Sequence, residues 1–302
     1  MPMRDLGSRQ RIPWLLVRLT RLVTDSPDRL WAGLWILGIG ALWAWDAAFL
    51  NRPAYLRLQA AFVNTMAGAT LTVLFTLVLG WSAGLVLDSL SRRSSRIPYL
   101  LLTFTLSLIR SLPQIVGILI GYVLLTIFIE RDIVRSTYLH LIWTALLISV
   151  FTFLELTDLL RERIDQYRKT DFFNAMLCCG IPERRIINVD VLWKNSLAHI
   201  FQKLIATFGM AIFLQCSIDF IISVGLSMDV SLSNFPPTLG SLLASLDSKQ
   251  DILAIGVALG RPGYAGELLF RHLQGISVAF LIVFSLVCMH KISNGIVRRY
   301  RL

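Results

Sequence analysis

Six ionisable residues interrupt stretches of sequence that are otherwise apolar: Asp46, Arg110, Glu155, Asp158, Lys203 and Asp219. Charge in such surroundings is expensive, so each of these residues needs a partner, an aqueous route or a functional role. They do not add up to a catalytic set. No paired carboxylates stand at acid–base spacing, and the four histidines (His140, His199, His272 and His290) are scattered. Cys178, Cys179, Cys216 and Cys288 form neither a CxxC nor a Cys/His group with zinc spacing. A metal site, a disulfide framework and an activated nucleophile are therefore not expected. Asp219 is the sharpest case. It is placed to touch a cationic group of a substrate, to pair across a subunit interface, or to stand exposed at the mouth of a bundle. Arg110 lies three residues before Pro113, which suits snorkelling or capping of a broken helix better than lining a path.

The elements that must position these residues are long and apolar. Of 302 residues, 55% are hydrophobic and only 16% charged, and the mean hydropathy is +0.66. Soluble domains carry roughly 25% charged residues. The apolar residues fall in blocks separated by charged stretches, the pattern of an all-α polytopic membrane protein and not of one large soluble core. Five blocks approach the roughly 20 residues that a span requires: Trp31–Leu50, Thr65–Leu87, His140–Leu156, Ala198–Val224 and Leu273–Cys288. A sixth region, Pro98–Phe128, is too long for one straight helix and is interrupted by Arg110 and Pro113. It reads as a tilted or interfacial segment over 98–110 followed by a span over 111–129.

Between the last two spans lies 225–271, whose apolar part contains Arg261, Pro262 and four glycines, which argues against a seventh span. Leu239, Leu242, Leu243 and Leu246 follow the spacing of one face of a short helix. An outer cap or re-entrant element over a cavity fits both pieces. At the N-terminus, Ile12, Leu15, Leu16, Leu19, Leu22 and Val23 share a helical face flanked by arginines, as in a basic helix lying on a lipid surface. An ordinary exposed tail is the alternative there. No small-residue cleavage pattern follows, so this segment is not read as a signal peptide.

Six spans place both termini on one side. With the N-terminus inside, twenty of the 29 Lys and Arg fall in cytoplasmic segments, seven in outer ones, and Arg110 and Lys203 within spans. That asymmetry selects N-in, C-in. It also accounts for the net charge of +10 without nucleic acid as a partner. Three parts result: a cytoplasmic amphipathic segment (1–29), a first span with its outer loop (30–59), and the main transmembrane domain (60–302). Asp46 then falls near an outer end, in solvent. Glu155 and Asp158 fall near an inner end, with Arg161 or Arg163 as the expected partner of Asp158. Cys178 and Cys179 are expected to be small packing residues, kept reduced in the cytoplasm.

The cytoplasmic connector 157–197 contains a pattern of its own. Thr170 and Asp171 are helix-start residues. Phe172 with Met176, and Phe173 with Leu177, stand at i, i+4. Gly180 suits a helix C′ position, Pro182 the first position of a second helix, and Glu183 its positive end. Helix, sharp turn, helix is the expected arrangement. Its two aromatic residues require burial, either against their own chain or against a partner.

The connector resembles the cytoplasmic loop of permease subunits of binding-protein-dependent ABC importers, written E-A-A, three residues, G, nine residues, I-x-L-P. Asn174, Ala175 and Met176 occupy the first three positions, Gly180 the glycine, and Asp190, Leu192 and Trp193 the I, L and P. Ala175, Gly180 and Leu192 match; the other four depart. Val224-Gly225-Leu226, Pro236-Pro237 and Gly240-Ser241-Leu242-Leu243 resemble the dipeptide/oligopeptide/nickel permease branch, with Leu239 in place of its usual Trp. The resemblance covers roughly residues 60–300.

The resemblance implies a binding-protein-dependent permease fold in a bacterial inner membrane, importing peptides or a related small solute. It implies a coupling helix docked on a separate ATPase. Phe172, Phe173, Ala175 and Met176 would form the docking face, with Asn174, Gly180, Ile181, Pro182, Glu183, Arg184 and Leu192 completing the contact region. The partners implied are two ABC ATPase subunits, a second homologous permease forming a heterodimer, an extracytoplasmic substrate-binding protein facing 225–271, and membrane lipids. ATP and Mg belong to the ATPase, since this chain has no G-x-x-x-x-G-K-[ST] loop and so needs no cofactor itself. Asp219 and Arg110 are the candidates for the translocation path. The alternative is a stand-alone secondary transporter or channel; against it, no six-span internal repeat is visible and few polar residues break the spans.

Overall fold

A computed structural model describes residues 26–92, 96–130, 137–225, 236–264, 266, 270 and 273–300. The expected N-terminal surface helix lies outside them. Among the described residues the secondary structure is helical, and five helices are long and apolar enough to cross a membrane. These are α1 (Pro27–Phe49), α2 (Arg52–Ser91), α5 (Thr137–Arg168), α7 (Leu197–Gly225) and α10 (Leu273–Tyr300). Helices α3 (Ile97–Ser111) and α4 (Gln114–Glu130) are long and apolar enough only together and meet at a 96° bend, as in a broken span or a re-entrant loop. The bend falls at Leu112-Pro113, because proline cannot continue the preceding helix and biases its neighbour to extended backbone. Leu112 is accordingly extended, with φ −83° and ψ 132°.

Two helices overrun the apolar blocks that predict them. At 40 residues, α2 is roughly 60 Å long, about twice the hydrocarbon thickness. Helix α5 continues twelve residues past Leu156 to Arg168. Hydropathy fixes where lipid begins, whereas helix ends are fixed by breakers, and none stands before Thr170.

The centre of the bundle is the pairing of α2 with α5. Along α2 one face repeats small residues every fourth position: Gly68, Thr72, Thr76, Gly80 and Gly84, all buried. In lipid, such a stripe lets backbones approach closely where the hydrophobic effect gives no drive. The contacts show it. Thr76 and Thr152 hydroxyls meet at 2.8 Å, Thr157 Oγ1 donates to the Gly80 carbonyl at 3.4 Å, and a Cβ on Gly80 would sit 3.0 Å from Leu156 Cδ2. By contrast α1 leans on α10. Trp35 Nε1 donates to Ser285 Oγ at 3.1 Å, and Arg299 pairs with Asp28 at 3.3 Å. Asp46 is not in solvent as expected: it is 2% exposed and accepts from Ser277 Oγ at 2.6 Å, so the last helix satisfies it.

On the outer side, the segment after α7 returns into the bundle as α8 (Leu239–Leu243), followed by α9 (Leu246–Gly260). A capping box between Thr238 and Ser241 starts α8. Helix α2 holds it: Asn64 Nδ2 donates to the Pro237 carbonyl at 2.9 Å, and Thr65 Oγ1 accepts from the Leu239 N–H at 3.0 Å. The predicted helix stops short of Leu246: the chain turns at 244–245 and Leu246 opens the next helix. Gly240 lies flush against the α7 backbone, and a Cβ there would overlap the Cys216 carbonyl. Gly240→Ala is therefore expected to push α8 off α7 and to cost about 1–3 kcal/mol. Thermal denaturation of the purified chain in detergent would show a lowered midpoint; an unchanged one would contradict the packing.

Candidate functional site

The connector between α5 and α7 builds a distinct cytoplasmic unit. Helix α6 (Asp171–Cys178) ends at Gly180, which has φ 78°, in the left-handed region that glycine alone adopts without cost. The Gly180 N–H donates to the Leu177 carbonyl at 2.9 Å, and the Ile181 N–H to the Met176 carbonyl at 3.2 Å. These two bonds make a Schellman cap, and Met176 and Ile181, its C3 and C″ residues, both pack against the core beneath it. Pro182 stands at the N-cap of the following turn, one residue before its expected place. After a single α-turn (Glu183–Arg185) the chain widens into a π-helix, Ile186–Asn195, which propensity and periodicity do not foreshadow.

One face of this unit is core. Phe173, Ile186, Ile187, Val191 and Leu192 are buried against Leu156, Leu160 and Ile164 of α5 and Ile200 of α7. The residues grouped by sequence as one docking face are thus divided. Phe173 is 4% exposed, Met176 is half-buried on the same core, and Leu192 is fully covered. Phe172 is 44% exposed, and Asn174, Ala175, Gly180, Pro182 and Arg184 are also exposed. Cys178 and Cys179, expected to pack, are exposed too. Trp193, where the resembled motif has proline, stands 61% exposed.

A charge cluster bolts the turn to the spans, and sequence reasoning missed it. Asp88 near the end of α2 accepts from Arg92 at 2.7 Å and from Arg168 of α5 at 3.0 Å. Glu183 pairs with Arg92 and with Arg168, the latter at 3.2 Å. The Arg168 guanidinium also lies 5.5 Å from the Phe173 ring centre, a cation–π contact. Glu183 therefore turns towards its own bundle. The available signal was Asp88 and Arg92 at i, i+4 just past the second apolar block; their partner eighty residues away was not readable.

Two further ion pairs flank the bend on the inner half. Arg110 pairs with Asp158 at 2.6 Å, and Lys203 with Glu155 at 2.6 Å. Asp158 takes Arg110 in place of the expected Arg161 or Arg163; those two bond to Tyr99 and to Ser196 and Gln166. The sequence-predicted path residues lie apart. Arg110 is on this inner side, whereas Asp219 lines a cavity of about 680 Å³ on the outer half, with α8 as one wall. Gln215, Tyr122, His140 and Thr144 line the same cavity, none of which the sequence singled out.

A bundle of five or six apolar spans, with a re-entrant outer element and a capped cytoplasmic connector, has the architecture of a multi-pass membrane permease. The chain belongs to the family of binding-protein-dependent transport system inner membrane components, whose description matches residues 76–298. It is thus a transport component of the cytoplasmic membrane. Permeases of this family work with ATPase and substrate-binding-protein partners in ABC importers. A search of curated proteins found no match.

Proposed function

We propose that the chain is the permease subunit of an ATP-driven importer for peptides or a related small solute, and that it couples to a separate ATPase through residues 170–195. It pairs with a second, homologous permease, and the outer segment 225–271 faces the binding protein. One observation carries the coupling: the Schellman-capped turn buries its inner face in the bundle and leaves Phe172, Asn174, Ala175, Gly180, Pro182 and Arg184 bare. An apolar aromatic side chain 44% exposed on the cytoplasmic side is a contact waiting for a partner. Phe173, Met176 and Leu192 serve as the rigid base, and Glu183 as part of the bolt. Arg110 and Asp219 mark the inner and outer ends of the route, which opens alternately as the two permeases rotate against each other.

Reconstitution tests the reading. Purified permeases, ATPase and binding protein in liposomes should take up solute only with ATP inside the ATPase compartment and irrespective of ion gradients. Uptake driven by a proton or sodium gradient with no ATPase present would sink it in favour of a stand-alone transporter.

A further inference from the structure

The outer cavity has an unusual balance of hydrogen-bonding groups. Two of its lining acceptors, Asp219 Oδ2 and Gln215 Oε1, are buried and have no hydrogen-bond partner among the described residues. Leaving a carboxylate oxygen unsatisfied away from water is costly, and more so within a membrane. The cavity also contains Arg57, but this side chain is exposed at its edge. The buried end thus asks for hydrogen-bond donors and positive charge. Its volume, about 680 Å³, lies within the range of small-molecule sites and far exceeds what a bare ion fills. A divalent metal is disfavoured for a second reason: hard cations gather several oxygen ligands, usually more than one carboxylate, and among the described residues Asp219 is the single carboxylate lining the cavity. Tyr122, 6% exposed, adds an aromatic wall suited to a cation, and Leu141, Ile222 and Leu242 provide apolar surface for a carbon skeleton.

We infer that this cavity binds a small organic cation, a protonated primary amine whose ammonium donates to Asp219 Oδ2 and Gln215 Oε1. An –NH3⁺ group has three donors, and the hydroxyls of the wall, such as Thr144, can take the third. The pairing supplies Asp219 with the counter-charge it lacks among the described residues. That the amine belongs to the transported solute rests on the importer reading; the site itself stands on the cavity and its two open acceptors.

Binding is tested without the ATPase, so that a failure of coupling and a failure of this site are distinguishable. The full-length chain in lipid nanodiscs is titrated calorimetrically with tyramine and with tyrosol, which replaces the amine by a neutral hydroxyl, against empty nanodiscs. Tyramine is expected to bind at least about ten-fold more tightly, one factor of ten being ~1.4 kcal/mol. Asp219→Asn should remove that preference while leaving the chain's thermal midpoint in place. Equal binding of both compounds, binding of neither, or a preference that survives Asp219→Asn would overturn the inference. The wild-type comparison decides the matter even where the variant does not insert.

Discussion

Gly180→Pro is expected to leave an inserted, folded permease that no longer holds its ATPase. The native turn needs φ 78° at this position and uses the Gly180 N–H to cap the Leu177 carbonyl. Proline fixes φ near −65° and removes the donor, so it can neither adopt this turn nor make its cap bond. The damage is conformational, since nothing lies within 4 Å of where a Cβ would be. It should also be local, because the spans pack through other residues. A graded series separates turn geometry from surface contact. Gly180→Asn should be mild, since asparagine visits the left-handed region, and Gly180→Ala intermediate, at about 1–2 kcal/mol. Copurification of the ATPase and substrate-stimulated ATP hydrolysis should fall in the order Asn, Ala, Pro. Equal loss for all three would mean that any side chain at 180 blocks docking, and that the left-handed turn is not the determinant.

The second large effect is expected at Arg168, which no exposed contact would nominate. Its guanidinium holds Asp88 of α2, Glu183 of the turn and the Phe173 ring together. Arg168 is 22% exposed and Asp88 14%, so solvent screens the cluster only partly. Arg168→Ala leaves Asp88 to Arg92 alone and frees Phe173 on one side. A loss of roughly 2–3 kcal/mol is expected, the scale for charge-assisted hydrogen bonds at partly buried sites. Its functional signature differs from that of Gly180→Pro. The ATPase should still bind, because the exposed face is intact, yet hydrolysis should no longer respond to substrate, because the turn is loosened from α2 and α5. ATPase activity measured with and without substrate-loaded binding protein reads this directly. A variant that stimulates normally would show that the charge cluster is not needed for transmission.

Much of this architecture was readable from local chemistry. Pro113 announced the bend between α3 and α4, and the glycines with Arg261 and Pro262 ruled out a seventh span. Gly180 announced the turn, because a left-handed residue between two helical patterns has few other candidates. What escaped was non-local. Which aromatic of Phe172 and Phe173 faces inward depends on how α6 sits on α5, and both fit an i, i+4 pair equally well. The cluster of Asp88, Arg92, Arg168 and Glu183 joins three elements that only the folded bundle brings together. Asp46 looked solvated because its helix end is apolar and short of partners; its partner, Ser277, is 231 positions away. The π-helix at Ile186–Asn195 has no propensity signal, although Ile187, Val191 and Leu192 on it are buried on the α5–α7 core.

The central claim is that the bare side of the capped turn meets an ATPase. Cys178 and Cys179 are exposed beside Gly180 and provide native handles for testing it. The assembled transporter, extracted from the membrane, is treated with a short thiol-directed photo-crosslinker at these two residues, illuminated, and analysed by mass spectrometry. The account predicts adducts joining Cys178 or Cys179 to the ATPase, absent when both are replaced by serine and diminished in Gly180→Pro. Reagent attached to both cysteines in the assembled complex, with crosslinks only to lipid or to the permease itself, would contradict it.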